Sequence, residues 1–381
     1  MNIFFQIIIF ILVLSFLVII HELGHLLAAK WAKIKVEEFG IGYPPRAFKL
    51  FKWGKVLFSL NWIPVGGFVK MIGEDGPEEE ESKKPNGEDE DGLAPFYKRS
   101  RVKRLVVILA GVVVNFVFGI ISFAIIFGVK GIPTPIEGAR IGFIAPDSPA
   151  AQAGIEKNTE IKSLSVGEDS IEVTSIKDVV EFIGKHKGNE ITITNSLECN
   201  DEVCPVETKK FIATLRTDEE TPDNEGSLGI GFSDFFYKFY SWYEMPLRSI
   251  WFGIQQAFFM VLMIVGALVG MITQIMGGSI PQDVAGPVGI VDQAASSGIF
   301  TEGFLSILNF SAMISINLAV MNLLPIPALD GGRALFIILE KLFGKKVINK
   351  IEGYANYGGM IVLLGLIILI TGSDIFRIVT R

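Results

Sequence analysis

The segment His21-Glu22-Leu23-Gly24-His25 combines residue types and a spacing that suit metal-assisted hydrolysis. On a helix, residues i and i+4 share a face, so both imidazoles can reach one Zn²⁺. The carboxylate next to the first histidine can polarise a metal-bound water. The pattern therefore predicts one zinc ion per chain.

The motif ends a long apolar run that begins near Ile3. A charged group near the membrane centre costs about 2.5–3.5 kcal/mol on insertion scales. The alternative to a metal site is a helix end at the membrane interface that carries these residues by chance. The cost of placing them in a membrane favours the functional interpretation.

Catalytic zinc needs three protein ligands and one open position. The chain has 3 histidines, and the third, His186, lies between two lysines and is expected to be solvated. The third ligand should therefore be a carboxylate at membrane depth. Asp330 is the best candidate, because it ends an apolar span just after Pro325 and Pro327, which break a helix. The alternative is an ordinary interfacial loop.

Composition indicates an integral membrane protein, since 50% of the 381 residues are hydrophobic and the mean hydropathy is +0.47. At 1.5 Å per residue, about 25 residues cover the hydrocarbon core. Long apolar runs predict four transmembrane helices, at about residues 3–29, 105–129, 304–329 and 357–379. The first run lacks a basic start, which argues against a cleaved signal peptide.

Basic residues follow the first span, precede the second and lie between the third and fourth. The positive-inside rule makes these segments cytoplasmic, in a multi-pass protein of the cytoplasmic membrane. The candidate site should then lie near the cytoplasmic side, and residues 130–303 largely outside. The net charge of −7 comes mainly from one acidic block, so a nucleic-acid partner is not expected.

A further apolar stretch at about 250–276 is long enough to cross the membrane. If it crossed once, Asp330 and the histidines would face opposite sides. We therefore expect a membrane-apposed helix or a re-entrant element within a linker at 218–303.

Two further segments lie between the predicted helices of the first membrane half, residues 1–136. Residues 55–71 read as β-strands around a Gly/Pro turn, which predicts a membrane-associated β-hairpin. Residues 73–92 are acidic and rich in Pro and Gly, which predicts a disordered loop or, alternatively, a partner-binding segment.

The sequence pattern of residues 137–217 differs from that of the apolar spans and predicts a small extracytoplasmic α+β domain. A second membrane half is expected at 304–381. Strands are expected at 139–144, 191–194 and 211–215, and a helix at 176–185. Cys199 and Cys204, the only 2 cysteines, could form a local disulfide outside the cytoplasm, and the sequence leaves this open.

The chain resembles the site-2 protease family in its bacterial regulator-of-sigma branch, over most of its length. The resemblance rests on three motifs in order: His21-Glu22-Leu23-Gly24-His25, Gly111-Val112-Val113-Val114-Asn115, and Asn322-Leu323-Leu324-Pro325-Ile326-Pro327-Ala328-Leu329-Asp330-Gly331.

This resemblance implies zinc held by His21, His25 and Asp330, with Glu22 as base. It also implies substrate contacts by Asn317 and Asn322, and by an edge strand in the β-loop that contains Gly66, Gly67, Phe68 and Val69. The implied substrates are transmembrane segments of single-pass membrane proteins, either anti-sigma factors or remnant signal peptides, cut within the lipid bilayer.

The soluble domain resembles a PDZ domain through Ser148-Pro149-Ala150-Ala151-Gln152-Ala153-Gly154, although Asn158-Thr159-Glu160 departs from the usual Gly-Asp. The sequence does not decide whether this domain filters substrates by size or binds a new terminus. It also leaves the substrate and the oligomeric state open.

Two rival functions belong to other classes. A metal transporter would need further polar ligands on several spans, which are scarce here. A non-catalytic scaffold would leave the cost of burying Glu22 and Asp330 unexplained.

Overall fold

The protein is described here by a computed structural model, which covers residues 3–74, 92–197, 207–222, 225–278 and 286–380. Contacts divide the chain into two compact units, Met1–Ile126 with Ile250–Arg381, and Phe127–Ser249. Cys199, Cys204 and most of the predicted acidic loop lie outside the described residues.

The described chain contains both long apolar helices and strands. The helices are α1 (Ile3–Trp31), α2 (Arg101–Lys130), α3 (Pro149–Gln152), α4 (Ile176–Lys185), α5 (Met245–Met276), α6 (Pro287–Ser296), α7 (Phe304–Leu323), α8 (Asp330–Phe343) and α9 (Lys345–Val379). The strands are β1 (Val36–Trp53), β2 (Val56–Met71), β3 (Ile132–Ile144), β4 (Glu160–Val166), β5 (Asp169–Glu172), β6 (Glu190–Leu197), β7 (Glu207–Thr214) and β8 (Ile230–Lys238).

Five of these helices are long and apolar enough to cross a membrane: α1, α2, α5, α7 and α9. The sequence predicted four. The additional helix is α5, where a membrane-apposed or re-entrant segment was expected at 250–276. It is one uninterrupted helix of 32 residues, so of the two alternatives the re-entrant element is wrong and the membrane-apposed helix stays a prediction. Its internal glycines do not break it, because a glycine in a helix costs only about 1 kcal/mol.

Aromatic and backbone contacts give the directions of the membrane helices. Phe10 packs on Phe310, and further along both segments His21 contacts Asp330, so α1 and α7 lie side by side and run the same way. The Ser315 hydroxyl donates to the carbonyl of Asn115, which joins α7 to α2. Phe116 of α2 packs on Phe258 of α5. Asp330 therefore follows α7 at the level of the α1 histidines.

β1 and β2 form a two-stranded sheet in which β1 is flanked twice by β2, since Phe39 pairs with both Val69 and Phe58. β2 covers the predicted β-loop, but its partner β1 was not predicted. The turn that joins β1 to β2 lies at Gly54-Lys55. β2 itself reverses direction between Leu60 and Gly67, because its two halves flank the same part of β1 in opposite directions, so the predicted Gly/Pro turn is confirmed. β1 was missed because prolines and charged residues obscure its alternation of apolar and polar side chains.

The second unit contains a sheet of strand order β7-β6-β4-β3-β8, with β5 paired to β4. Its core includes Ile141, Ile161 and Ile193, against which α4 packs. The predicted helix at 176–185 is α4, and the three predicted strands lie in or overlap β3, β6 and β7. The unit extends past residue 217, because β8 lies in the predicted linker and pairs with β3.

Candidate metal centre

Three electron-pair donors converge where α1 meets the start of α8. Nε2 of His21 lies 3.1 Å from Nε2 of His25. Oδ2 of Asp330 lies 3.0 Å from the first nitrogen and 3.4 Å from the second. Both imidazoles are buried. The structure thus brings the three sequence-predicted ligands together.

Hydrogen bonds at the far side of each ring decide which nitrogen carries the proton. Nδ1 of His25 lies 2.8 Å from the carbonyl oxygen of Val107, which can only accept. His25 therefore donates from Nδ1, and its Nε2 presents a lone pair.

The side-chain amide of Asn115 lies 3.3 Å from Nδ1 of His21, and Oδ1 of Asn115 is buried without a donor. The two ends of an amide have the same shape, and the hydrogen-bond network decides their placement. With Oδ1 towards the imidazole, the orphaned oxygen accepts from Nδ1–H of His21. His21 then also presents a lone pair from Nε2.

This arrangement fits zinc. Ligand atoms about 2.0–2.1 Å from a tetrahedral metal lie about 3.3 Å from one another, close to the three separations seen here. Oδ2 of Asp330 is buried and has no hydrogen-bond donor among the described residues. A carboxylate oxygen facing two lone pairs in an apolar interior is unfavourable without a cation between them.

Close contact between α1 and α2 positions the histidines. A Cβ on Gly24 would lie 2.7 Å from the carbonyl oxygen of Ala110, and one on Gly111 would lie 2.5 Å from Nε2 of His25. Small residues let two helix backbones approach this closely. Both imidazoles therefore fit into the space that Gly111 leaves.

A tight turn after α7 places Asp330. α7 ends at Leu323, and Pro325 and Pro327 prevent it from continuing. Ala328 adopts a positive φ of 73°, and its N–H donates to Oδ1 of Asn356 of α9 over 3.0 Å. This contact anchors the turn to α9.

Beyond the turn, two glycines let α8 start against the chain that precedes it. A Cβ on Gly331 or on Gly332 would lie 2.2 Å from a backbone oxygen of that segment.

A cavity of about 520 Å³ opens beside the ligands. Glu22 lines it, next to β2, where a Cβ on Gly67 would lie 3.4 Å from Cγ of Glu22. Burial and the nearby charge of Glu22 raise the pKa of the Tyr43 phenol, which therefore stays protonated at neutral pH. The carboxylate of Glu22 is within reach of a water held in this space.

Only some of the predicted substrate-contacting residues line the cavity. Gly67, Phe68 and Val69 line the cavity. Gly66 lies behind them at φ +83°, with the ring of Tyr43 in the place of a side chain. Asn317 and Asn322 are half-buried on α7 and are not among the residues that line the cavity.

Sequence reasoning missed four residues around the site. It read Asn115 only as part of a motif, and did not single out Asn356, Glu74 or Arg333, which line the cavity. A polar side chain in an apolar helix was an available signal for Asn115. The other three depend on tertiary contacts.

Comparisons with known proteins agree with this chemistry. The sequence model of peptidase family M50 matches residues 9–366. The zinc metalloprotease RasP of Oceanobacillus iheyensis is 29% identical over 440 aligned residues, covering 97% of this chain and 98% of the relative. RasP of Geobacillus kaustophilus is 29% identical over 442, covering 97% of each. A protein of Clostridium acetobutylicum is 31% identical over 374, covering 98% of each.

We expect Gly111→Ala to weaken zinc binding by at least about 10-fold, because the new methyl group displaces both imidazoles. Chelator competition followed by metal analysis measures this. Gly128→Ala on the same helix is the control, since its nearest neighbour would be Oγ of Ser249 at 3.7 Å. Equal zinc affinity in both variants would contradict the packing described here.

Asn115→Leu should lower zinc affinity about 10- to 100-fold, because His21 loses the acceptor that fixes its tautomer. Asn115→Asp keeps an acceptor oxygen and should retain most of the zinc. If the Asp variant loses as much zinc as the Leu variant, the amide donates to His21 and the assigned tautomer is wrong.

Proposed function

This chain belongs to peptidase family M50, and from that premise we propose that it cuts transmembrane segments of single-pass membrane proteins within the bilayer. It is a zinc metalloprotease of the site-2 type. The proposed substrates are anti-sigma factors or remnant signal peptides, in regulated intramembrane proteolysis.

The observation that carries the proposal is the placement of the metal centre. His21 and His25 lie on a helix long and apolar enough to cross a membrane, and Asp330 directly follows another such helix. Among the described residues, one group of His, Cys, Asp and Glu side chains is suited to hold a metal, namely His21, Glu22 and His25. Oδ2 of Asp330 lies within 3.4 Å of both imidazoles. A transporter would need further ligands along a path.

We assign zinc to His21, His25 and Asp330, where it would supply Lewis acidity towards the scissile carbonyl and the attacking water. Glu22 takes a proton from that water as the water attacks the carbonyl carbon. Glu22 then passes this proton to the nitrogen of the leaving amine. Tyr43 and the β2 wall limit the space in which the peptide lies.

The β-sheet supplies the means to hold an unwound substrate. A helix buries its own amides, so a transmembrane segment must extend before it can be cut. The cavity-facing part of β2, at Gly67, Phe68 and Val69, presents backbone groups to such a strand, which can pair by β-augmentation. Asn317 and Asn322 remain predictions that rest on the family resemblance.

We place the metal centre near the cytoplasmic side of the cytoplasmic membrane, since basic residues flank α1 and α2 on that side. The unit Phe127–Ser249 is then extracytoplasmic. We propose that it is a PDZ domain.

A groove of about 300 Å³ supports the PDZ proposal. It lies beside α4 and the start of β8, lined by Val180, Ile183 and the loop from Gly226 to Gly229. A helix and a strand edge on either side of a groove suit an extended peptide, so we favour binding of a chain terminus over a size filter.

Glu22→Gln should keep zinc but lower the rate of cleavage at least about 100-fold, because general acid–base catalysis contributes at least this much. Asp330→Asn should lose both zinc and activity. The assay is cleavage of a single-pass substrate by purified protein in detergent, with metal analysis.

Glu302→Gln is the control, since Glu302 is exposed and pairs with Ser306 away from the cavity. Full activity of Glu22→Gln would refute the role assigned to Glu22.

Val180→Glu should weaken binding of a peptide with a free C-terminus to the full chain, because it places a negative charge beside the peptide carboxylate. Ile212→Glu is the matched control, as Ile212 is 60% exposed against 59% for Val180 and lies outside the groove. Fluorescence anisotropy with carboxylate and amidated peptides measures this. No binding of either peptide to the unmodified protein would favour the size filter.

A further inference from the structure

An ion pair closes one side of the catalytic cavity. Nη1 of Arg333 contacts Oε1 of Glu74. Their side chains are 28% and 19% exposed, and both line the cavity that also holds Glu22, His25 and Asp330. The pair thus lies beside the reacting groups without being part of the proposed ligand set.

The two partners belong to the two structures that must be aligned for cleavage. Arg333 lies three residues after Asp330 on α8, so both side chains occupy one helix face. Glu74 lies just beyond Met71, the last residue of β2. The ion pair therefore links the end of the substrate-facing strand to the helix that begins with the zinc carboxylate.

The helix that carries Arg333, α8, is fixed to α2. At the far end of α8, Arg104 of α2 forms a bidentate ion pair with Glu340, and both side chains are buried. α2 also contacts both histidines through Val107 and Asn115. The position of Arg333 is therefore fixed relative to the two histidines.

The strand end is held by a different set of contacts. β2 pairs with β1 through Val69 and Phe39, and Ile72 donates its N–H to the carbonyl of Lys35. These bonds fix β2 within the sheet. Val69 and Met71 of β2 share a buried apolar cluster with Ala334 and Ile337 of α8. This cluster and the contacts across the cavity, among which Glu74–Arg333 is an ionic one, set the position of the sheet relative to Asp330.

Alignment matters because successive residues of a strand are about 3.3 Å apart. A substrate strand paired with β2 takes its position from β2. A shift of β2 by one residue relative to α8 would bring a neighbouring peptide bond to the metal centre. A contact that resists such a shift selects the bond that is cut.

We propose that the Glu74–Arg333 ion pair sets the cleavage position by holding β2 in register with the helix that begins at Asp330. Both are positioning residues, which act through the strand and the helix. This inference rests on the proposed function, in particular on pairing of the substrate with β2.

The test maps cleavage sites in a single-pass substrate by mass spectrometry of the products, with the full chain in detergent. Arg333→Gln and Glu74→Gln should give products displaced by one or two residues, and kcat/KM for the original bond should fall about 10- to 100-fold. Zinc content should not change. A general loss of stability would slow cleavage without changing which peptide bond is cut.

The reversed pair, Glu74→Arg with Arg333→Glu, should restore the original cleavage position. Arg101→Gln is the matched control, since Arg101 is half-exposed, lies 3.8 Å from Glu340 at the other end of α8, and does not line the cavity. It should leave the position unchanged. If Arg333→Gln gives too little product, Arg333→Lys keeps the charge and should cut mainly at the original bond.

Slower cutting at the same bond in both Gln variants would overturn the proposal, and so would several adjacent cuts by the unmodified enzyme. An unmodified enzyme that holds zinc but cuts no transmembrane substrate would instead refute the proposed function.

Discussion

The site depends on one electrostatic constraint: three electron-pair donors are held within 3.4 Å of one another inside an apolar bundle. Repulsion and lost hydration make this arrangement unfavourable unless a cation occupies the space between them. The surrounding fold supplies the opposing support. α2 approaches α1 at two glycines, an amide and a carbonyl hold the imidazoles from behind, and a proline turn anchored by Asn356 delivers Asp330. If any one of these contacts is removed, the two imidazoles and the carboxylate of Asp330 move apart.

Hydrolysis in a membrane also requires water and an unpaired peptide backbone, neither of which an apolar helix bundle provides. The cavity beside Glu22 supplies room for water, and the sheet of β1 and β2 supplies backbone groups without leaving them unsatisfied inside the protein. This division explains why a β-sheet lies next to a helical metal centre. In the proposed mechanism the helices hold the metal, and the strand pairs with the substrate backbone, which the helices could not do.

Sequence alone proposed the three ligands that the structure brings together, because the i and i+4 spacing places His21 and His25 on one face, and the scarcity of histidine directs the search to a carboxylate. It did not find β1, whose prolines and charges hide its alternation, and it left open whether residues 250–276 form a continuous helix or a re-entrant element. The contact of Asn115 with His21 joins residues far apart in the chain, so a motif could suggest Asn115 but not its partner. Asn317 and Asn322 came from resemblance, and the cavity does not include them.

The two ion pairs of α8 differ in a way that suits their positions. Arg104 and Glu340 are only 6% and 3% exposed, and breaking such a buried pair costs about 3–5 kcal/mol. That end of the helix therefore stays with α2. Arg333 and Glu74 are 28% and 19% exposed, so water screens their attraction and the pair contributes less than the buried one. A contact of this strength can favour one alignment of the strand and still yield when a substrate enters or a product leaves. A stronger pair there would hold the cavity in a single shape and slow exchange.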